Sequence, residues 1–198
     1  MNYNIKIILI QLKISSIFLL IVLYKYCLKR LSNPFKKNIK LALCTMGKKE
    51  NLYVEQFIDY YIKLGIDHIF IYDDNDNNTE KISDCIKNQY KEKVTIYENF
   101  QNYIKKQSDA FTNCYSNNYK RYDWFLMIDM DEYLYIVNNT LKKYLTSNYL
   151  NHCDFIKFHS VIPNDNNLIK YDNRSLFERF KGPFLKQLEI KTIIRGNI

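Results

Sequence analysis

Apolar residues in this chain fall into short continuous runs separated by polar stretches with helical periodicity. Residues 39–45 (Ile-Lys-Leu-Ala-Leu-Cys-Thr) predict a first strand, because branched and aliphatic runs of this length suit a strand buried on both faces. The loop Met46-Gly47-Lys48-Lys49-Glu50 follows. Over residues 52–64, Leu52, Phe57, Tyr60, Tyr61 and Leu64 share one helical face, and Gly65 suits the helix cap. Residues 66–72 predict a second strand, closed by the turn-forming run Asp73-Asp74-Asn75-Asp76-Asn77-Asn78. Residues 79–90 predict a helix, 94–97 a third strand and 105–119 another helix. The run 124–128 predicts a further strand, 140–150 a helix and 154–161 a strand. Strand and helix alternating at this spacing imply right-handed βαβ units and a mostly parallel sheet, an α/β fold.

The N-terminus reads differently. Residues 5–24 are strongly apolar yet carry Lys6, Gln11 and Lys13. The uncharged part, 14–24, falls short of the roughly 20 residues that a spanning helix needs. With Lys13 snorkelling to the interface, 7–24 reaches across a bilayer. A basic cluster follows (Lys25, Lys29, Arg30, Lys36, Lys37), and no small-residue cleavage site does. The reading is an apolar N-terminal helix over residues 1–31 that anchors the chain to a membrane, single-pass or interfacial, with a buried soluble helix as the alternative. Pro34 marks a linker over 32–38, which leaves 39–198 as the folded domain. The side of the membrane stays open: the positive flank favours the cytoplasm, and a signal-anchor orientation favours the lumen.

Composition narrows the classes further. Hydrophobic residues at 47% and aromatics at 16% exclude a disordered chain. Only 4 Gly and 3 Pro argue against repeats and many-turned all-β folds. The formal charge of +8 is scattered outside the N-terminal flank, with no zinc-finger or RNA-binding signature, so nucleic acid is not an expected partner. The 5 cysteines include no CxxC pair and no Cys-His metal spacing, which points to reduced thiols acting as small core residues.

The chemistry concentrates at the end of the 124–128 run, where Asp129, Asp131 and Glu132 follow buried apolar residues. In α/β sheets, ligands bind just beyond the carboxyl ends of strands. Two Asp one residue apart can offer one carboxylate to Mg²⁺ or Mn²⁺ and the other to a ribose or a metal-bound water. An acidic N-cap opening the next helix accounts for the same residues equally well.

Four blocks carry a family resemblance. Glu50-x-x-Tyr53-Val54-x-x-Phe57-Ile58-x-Tyr60-Tyr61-x-x-Leu64-Gly65-Ile66-Asp67-His68-Ile69-Phe70-Ile71-Tyr72-Asp73 resembles the opening of glycosyltransferase family 92 and family 2-like proteins. Gln107-x-x-Ala110-Phe111-x-x-Cys114 with Asp123-Trp124 and Ile128-Asp129-Met130-Asp131-Glu132-Tyr133-Leu134 is similar to their later Q-x-x-A-Y and D-x-D blocks. Asp172-x-Arg174-Ser175-Leu176-x-Glu178-Arg179-Phe180 and Lys191-Thr192-Ile193-Ile194-Arg195 complete the order. The chain departs at Lys49, where the family usually has Asn, at Phe57 for Trp and at Tyr61 for His. Family members usually continue with a His-containing segment, so the resemblance implies a C-terminally short domain.

The resemblance implies a GT-A-like, Rossmann-type sheet and sugar transfer from a nucleotide-diphosphate sugar to a glycan, lipid or protein hydroxyl, as a hexosyltransferase acting by inversion. It assigns Thr45, Glu50, Asp73 and Asp129 to the nucleotide sugar, and Asp131 with Asp129 to Mn²⁺ or Mg²⁺. Asp165 and Glu178 are candidates for the catalytic base, and Lys191 and Arg195 either meet phosphates or cover a strand edge. An inactive remnant that binds or scaffolds is the alternative; a sugar-phosphate nucleotidyltransferase is disfavoured because no Gly-rich phosphate loop follows the first strand. Deleting residues 1–31 is expected to release the protein from membranes in a fractionation experiment; continued pelleting would assign attachment to another surface.

Overall fold

A computed structural model describes residues 38–98, 106–137, 140–150, 152–163, 174, 176–179 and 184–196. The expected N-terminal anchor, residues 1–31, and most of the linker lie outside them. Among the described residues no helix is long and apolar enough to cross a membrane.

The elements run β1 (Leu41–Gly47), α1 (Val54–Leu64), β2 (His68–Asp73), β3 (Val94–Tyr97), α2 (Lys106–Asn118), β4 (Trp124–Met127), α3 (Leu141–Leu145), β5 (Phe155–Pro163), α4 (Leu176–Arg179) and β6 (Phe184–Arg195). Six strands form one sheet in the order β3-β2-β1-β4-β6-β5. The first four are mutually parallel, whereas β6 runs antiparallel to both β4 and β5. The parallel half matches expectation. The antiparallel half arises because β5 and β6 pair side by side over most of their length, with one irregularity between His159 and Val161.

Strand alternation explains why the apolar runs are continuous. Leu41, Leu43, Ile69, Ile71, Trp124 and Leu126 point to one face and pack with Val54, Phe57, Ile58 and Tyr61 of α1. Ala42, Cys44, Phe70, Tyr72, Phe125 and Met127 point to the other, against Ala110 and Cys114 of α2. A sheet covered on both faces has no polar side to show in its sequence. Cys44 and Cys114 are buried free thiols, and burial pushes the Cys44 thiol well up.

Three details differ from the sequence reading. Leu52 is 67% exposed rather than on the core face, since α1 starts two residues later, at Val54. The expected helix over 79–90 is two short 3₁₀ turns, Ile82–Cys85 and Asn88–Tyr90. Its start is captured from outside: the Ile82 amide donates to Asp73 Oδ2 at 2.9 Å and Asp84 caps the Lys81 amide at 3.2 Å. The expected helix over 140–150 stops at Leu145, because the Thr146 and Ser147 hydroxyls donate back to the Lys142 and Tyr144 carbonyls. Gly65 caps α1 as expected, at φ 103°.

Arg195 closes the antiparallel side. Its guanidinium lies 4.2 Å from the Trp124 ring centroid and donates to the Cys153 and Leu150 carbonyls at 2.8 and 2.7 Å. Gly196 follows, with its amide donating to the Asp123 carbonyl at 2.8 Å. A Cβ there would stand 2.1 Å from the Tyr122 carbonyl oxygen, a backbone atom that cannot swing aside. Gly196→Ala is therefore expected to lower stability by about 1–3 kcal/mol, the usual range for overpacking; an unchanged denaturant midpoint would show that the chain end relaxes freely.

Candidate functional site

Parallel pairing brings the carboxyl ends of β1, β2 and β4 to one edge of the sheet. β2 lies on one side of β1 and β4 on the other, so the connections diverge at β1, the place where open α/β sheets bind ligands. Three loops meet there: Lys48–Glu50, Asp74–Asn78 and Ile128–Glu132.

The first two loops are clamped together by Asn75, which is 2% exposed. Its Oδ1 accepts from the Lys49 amide at 2.6 Å, and its Nδ2 donates to Asn51 Oδ1 at 2.8 Å and to the Glu80 carbonyl at 2.9 Å. The Asp74 amide donates to the Gly47 carbonyl at 2.9 Å. Lys49 sits at φ 64°, a left-handed conformation that costs a side-chain-bearing residue about 1–2 kcal/mol. Hydrogen bonds at about 1 kcal/mol each offset that strain. Asn tolerates this region well, which accounts physically for the Asn that the family pattern carries where this chain has Lys49.

Asp73 is fully buried, its oxygens accepting from the Asn75 amide at 2.8 Å and the Ile82 amide at 2.9 Å. Both its oxygens are thereby used in building the loop. Thr45 is also fully buried, its hydroxyl without a hydrogen bond among the described residues. Asp74 instead reaches α2, pairing with Lys106 at 2.7 Å.

The two aspartates of the D-x-D sequence face different neighbours. Asp129 receives hydrogen bonds from the Gln107 amide and the Lys191 ammonium. Lys191, only 15% exposed, also meets Glu132 at 3.0 Å. Burial alone would lower its pKa, but the bonds to Asp129 and Glu132 raise it. Asp131 is exposed, and its charge is felt by Glu50. Burial first, and then Asp131, push the Glu50 carboxyl above its usual range. Burial, with Glu50 and Asp131 adding to it, likewise raises the Tyr133 phenol. Asp129 is thus engaged by Gln107 and Lys191, whereas Asp131 is exposed beside Glu50. Among the described residues no group of three or more His, Cys, Asp or Glu is disposed to hold a metal.

The loop after β4 is held from behind by tyrosines. Tyr61 donates to the Glu132 carbonyl and accepts from the Leu134 amide, both at 2.9 Å, and Tyr60 donates to the Leu134 carbonyl at 2.8 Å. Beside Asp129, a cleft of about 440 Å³ opens between α2 and β6.

A protein-family model, Glycosyltransferase family 92, matches residues 37–195. The chain belongs to glycosyltransferase family 92. Comparison with curated proteins finds no match. Within this family 92 domain, the Tyr61 hydroxyl supports the acidic loop. Arg195 lies over the Trp124 face. Of the base candidates, Glu178 is exposed on α4 and Asp165 lies outside the described residues. Asn75 was read only as a turn former; its role rests on partners 24 to 26 residues away, which local pattern does not reveal. Removing the Asp131 charge is expected to lower the Glu50 pKa. Carboxyl-carbon NMR titration of Asp131→Asn checks this, and an unmoved Glu50 would mean that the two acids do not share a site.

Proposed function

We propose that this family 92 chain is a metal-dependent glycosyltransferase of GT-A type, of the hexosyltransferase class, that moves a sugar from a nucleotide-diphosphate donor to an acceptor hydroxyl with inversion. The observation that carries the reading is the placement of Glu50, after β1, and Asp131, after β4, at the switch between those strands, near enough for the Asp131 charge to add to burial in raising the Glu50 carboxyl. Like charges so placed are relieved by a cation. Mg²⁺ and related ions are often held by one or two carboxylates, with substrate phosphates and water completing the shell. Asp131 with Glu50 fits Mn²⁺ or Mg²⁺ on that basis; Asp129, engaged by Gln107 and Lys191, does not. When bound, the ion supplies Lewis-acid stabilisation of the leaving diphosphate.

The chain's own residues do the rest. The clamped Lys48–Glu50 and Asp74–Asn78 loops offer their backbone to the nucleotide. Tyr60 and Tyr61 keep the Asp131 loop from yielding when the donor binds. Glu178 and Asp165 are the carboxylates proposed to take the proton of the acceptor hydroxyl, on a glycan, lipid or protein. The apolar stretch within residues 1–31 supports attachment to a membrane.

A second reading, an inactive remnant that binds without turnover, is favoured by one observation. Lys191 and Gln107 engage Asp129 and leave a single aspartate of the pair for the ion. Asp131→Asn is expected to retain the melting temperature of the parent and to abolish Mn²⁺-dependent binding of UDP- or GDP-sugars in a thermal-shift assay. Undiminished donor binding would remove Asp131 from the metal site, and parent binding without transfer would select the remnant.

A further inference from the structure

Of the residues given above to the metal or the nucleotide sugar, the cleft between α2 and β6 is lined by Asp129 but not by Thr45, Glu50, Asp73 or Asp131. At about 440 Å³ it is within the range of small-molecule sites. Its floor is Asp129 with the amide of Gln107 and the ammonium of Lys191 bonded to it. Charge decides what that floor accepts. The one positive charge of Lys191 is flanked by Asp129, by Glu132 at 3.0 Å and by Glu189 at 3.8 Å. The floor is net negative, so it repels a phosphate and leaves donors and acceptors for neutral hydroxyls.

One wall is built for a ring. Phe111 and Tyr115 line it from α2. Tyr115 is fixed by its hydroxyl, which donates to the Arg195 carbonyl at 2.8 Å, and by edge contact with Phe125 at 5.3 Å between centroids. Exposed Thr112 and Ser116 add hydroxyls from the same helix. A pyranose has an apolar C–H face and a hydroxyl edge, and an aromatic wall beside a carboxylate, an amide and an ammonium matches both.

We infer that this cleft is a carbohydrate subsite that seats a neutral, hydroxylated sugar ring and excludes the diphosphate. The inference rests on the glycosyltransferase reading. The ring comes from the donor or from the acceptor; the recognising chemistry is the same for both.

Thr112→Trp and Ser116→Trp fill the cleft from exposed helix positions without touching the core, and their melting temperatures check the fold. The full chain is titrated calorimetrically with UDP, UDP-glucose, UDP-galactose, GDP and GDP-mannose. Binding of methyl glycosides of glucose, galactose and mannose is followed by ligand-observed NMR with the nucleotide present. The parent is expected to bind one nucleotide sugar at least about tenfold more tightly than its bare nucleotide, or to bind a glycoside. The filled variants are expected to lose that increment and keep bare-nucleotide affinity. Loss confined to the nucleotide sugar assigns the cleft to the donor, and loss confined to the glycoside assigns it to the acceptor. A sugar increment that survives filling, a weakened bare nucleotide, or a parent that binds nucleotide with no sugar dependence overturns the subsite alone. Failure of every nucleotide to bind overturns the glycosyltransferase reading, and the subsite with it.

Discussion

Burial of β1 between two parallel neighbours is the constraint from which the rest of the domain follows. Ala42, Leu43, Cys44 and Thr45 are completely covered, on one face by the α1 side of the core and on the other by the α2 side. A strand so enclosed has its amides and carbonyls paired on both edges, and here both partners run parallel to it. Parallel pairing puts the exits of β1, β2 and β4 at one edge. Their loops are therefore neighbours in space although more than 50 residues separate Gly47 from Asp129 in sequence.

At that edge, one residue type is given two environments. Asp129 is turned toward α2 and β6, where Gln107 and Lys191 satisfy it. Asp131 lies two residues on, exposed, with a half-buried glutamate for company. The first carboxylate is paired within the protein, and the second faces solvent beside Glu50. The roles proposed for them divide accordingly, a polar floor for a sugar on one side and a cation site on the other.

Rigidity behind the site has separate sources. Asn75 stitches the loops after β1 and β2 while Lys49 holds a strained left-handed turn. Tyr60 and Tyr61 brace the acidic loop through its backbone, packed against each other and Tyr133 with ring centroids 5.1 to 6.2 Å apart. Loops that are fixed before a ligand arrives lose less conformational entropy when it does.

Much of the fold was legible in the residues alone. The four parallel strands, α1, α2 and the Gly65 cap declare themselves because burial on both sheet faces and helical amphipathicity are local patterns. The carboxylates that end β4 were also visible, although the sequence left an acidic N-cap and a ligand site equally open. What local pattern could not carry were contacts across long separations. The Ile82 amide, 9 residues on, bonds to Asp73, and the expected helix over 79–90 gives way to 3₁₀ turns for that reason. Lys191, 62 residues from Asp129, bonds to it and not to sequence neighbours alone. By itself the sequence determined which stretches are buried and where charge collects, because both depend on composition and period. Only the tertiary structure decided which carboxylate is neutralised and which is exposed, because that depends on the side chain that the antiparallel return of β6 lays beside it.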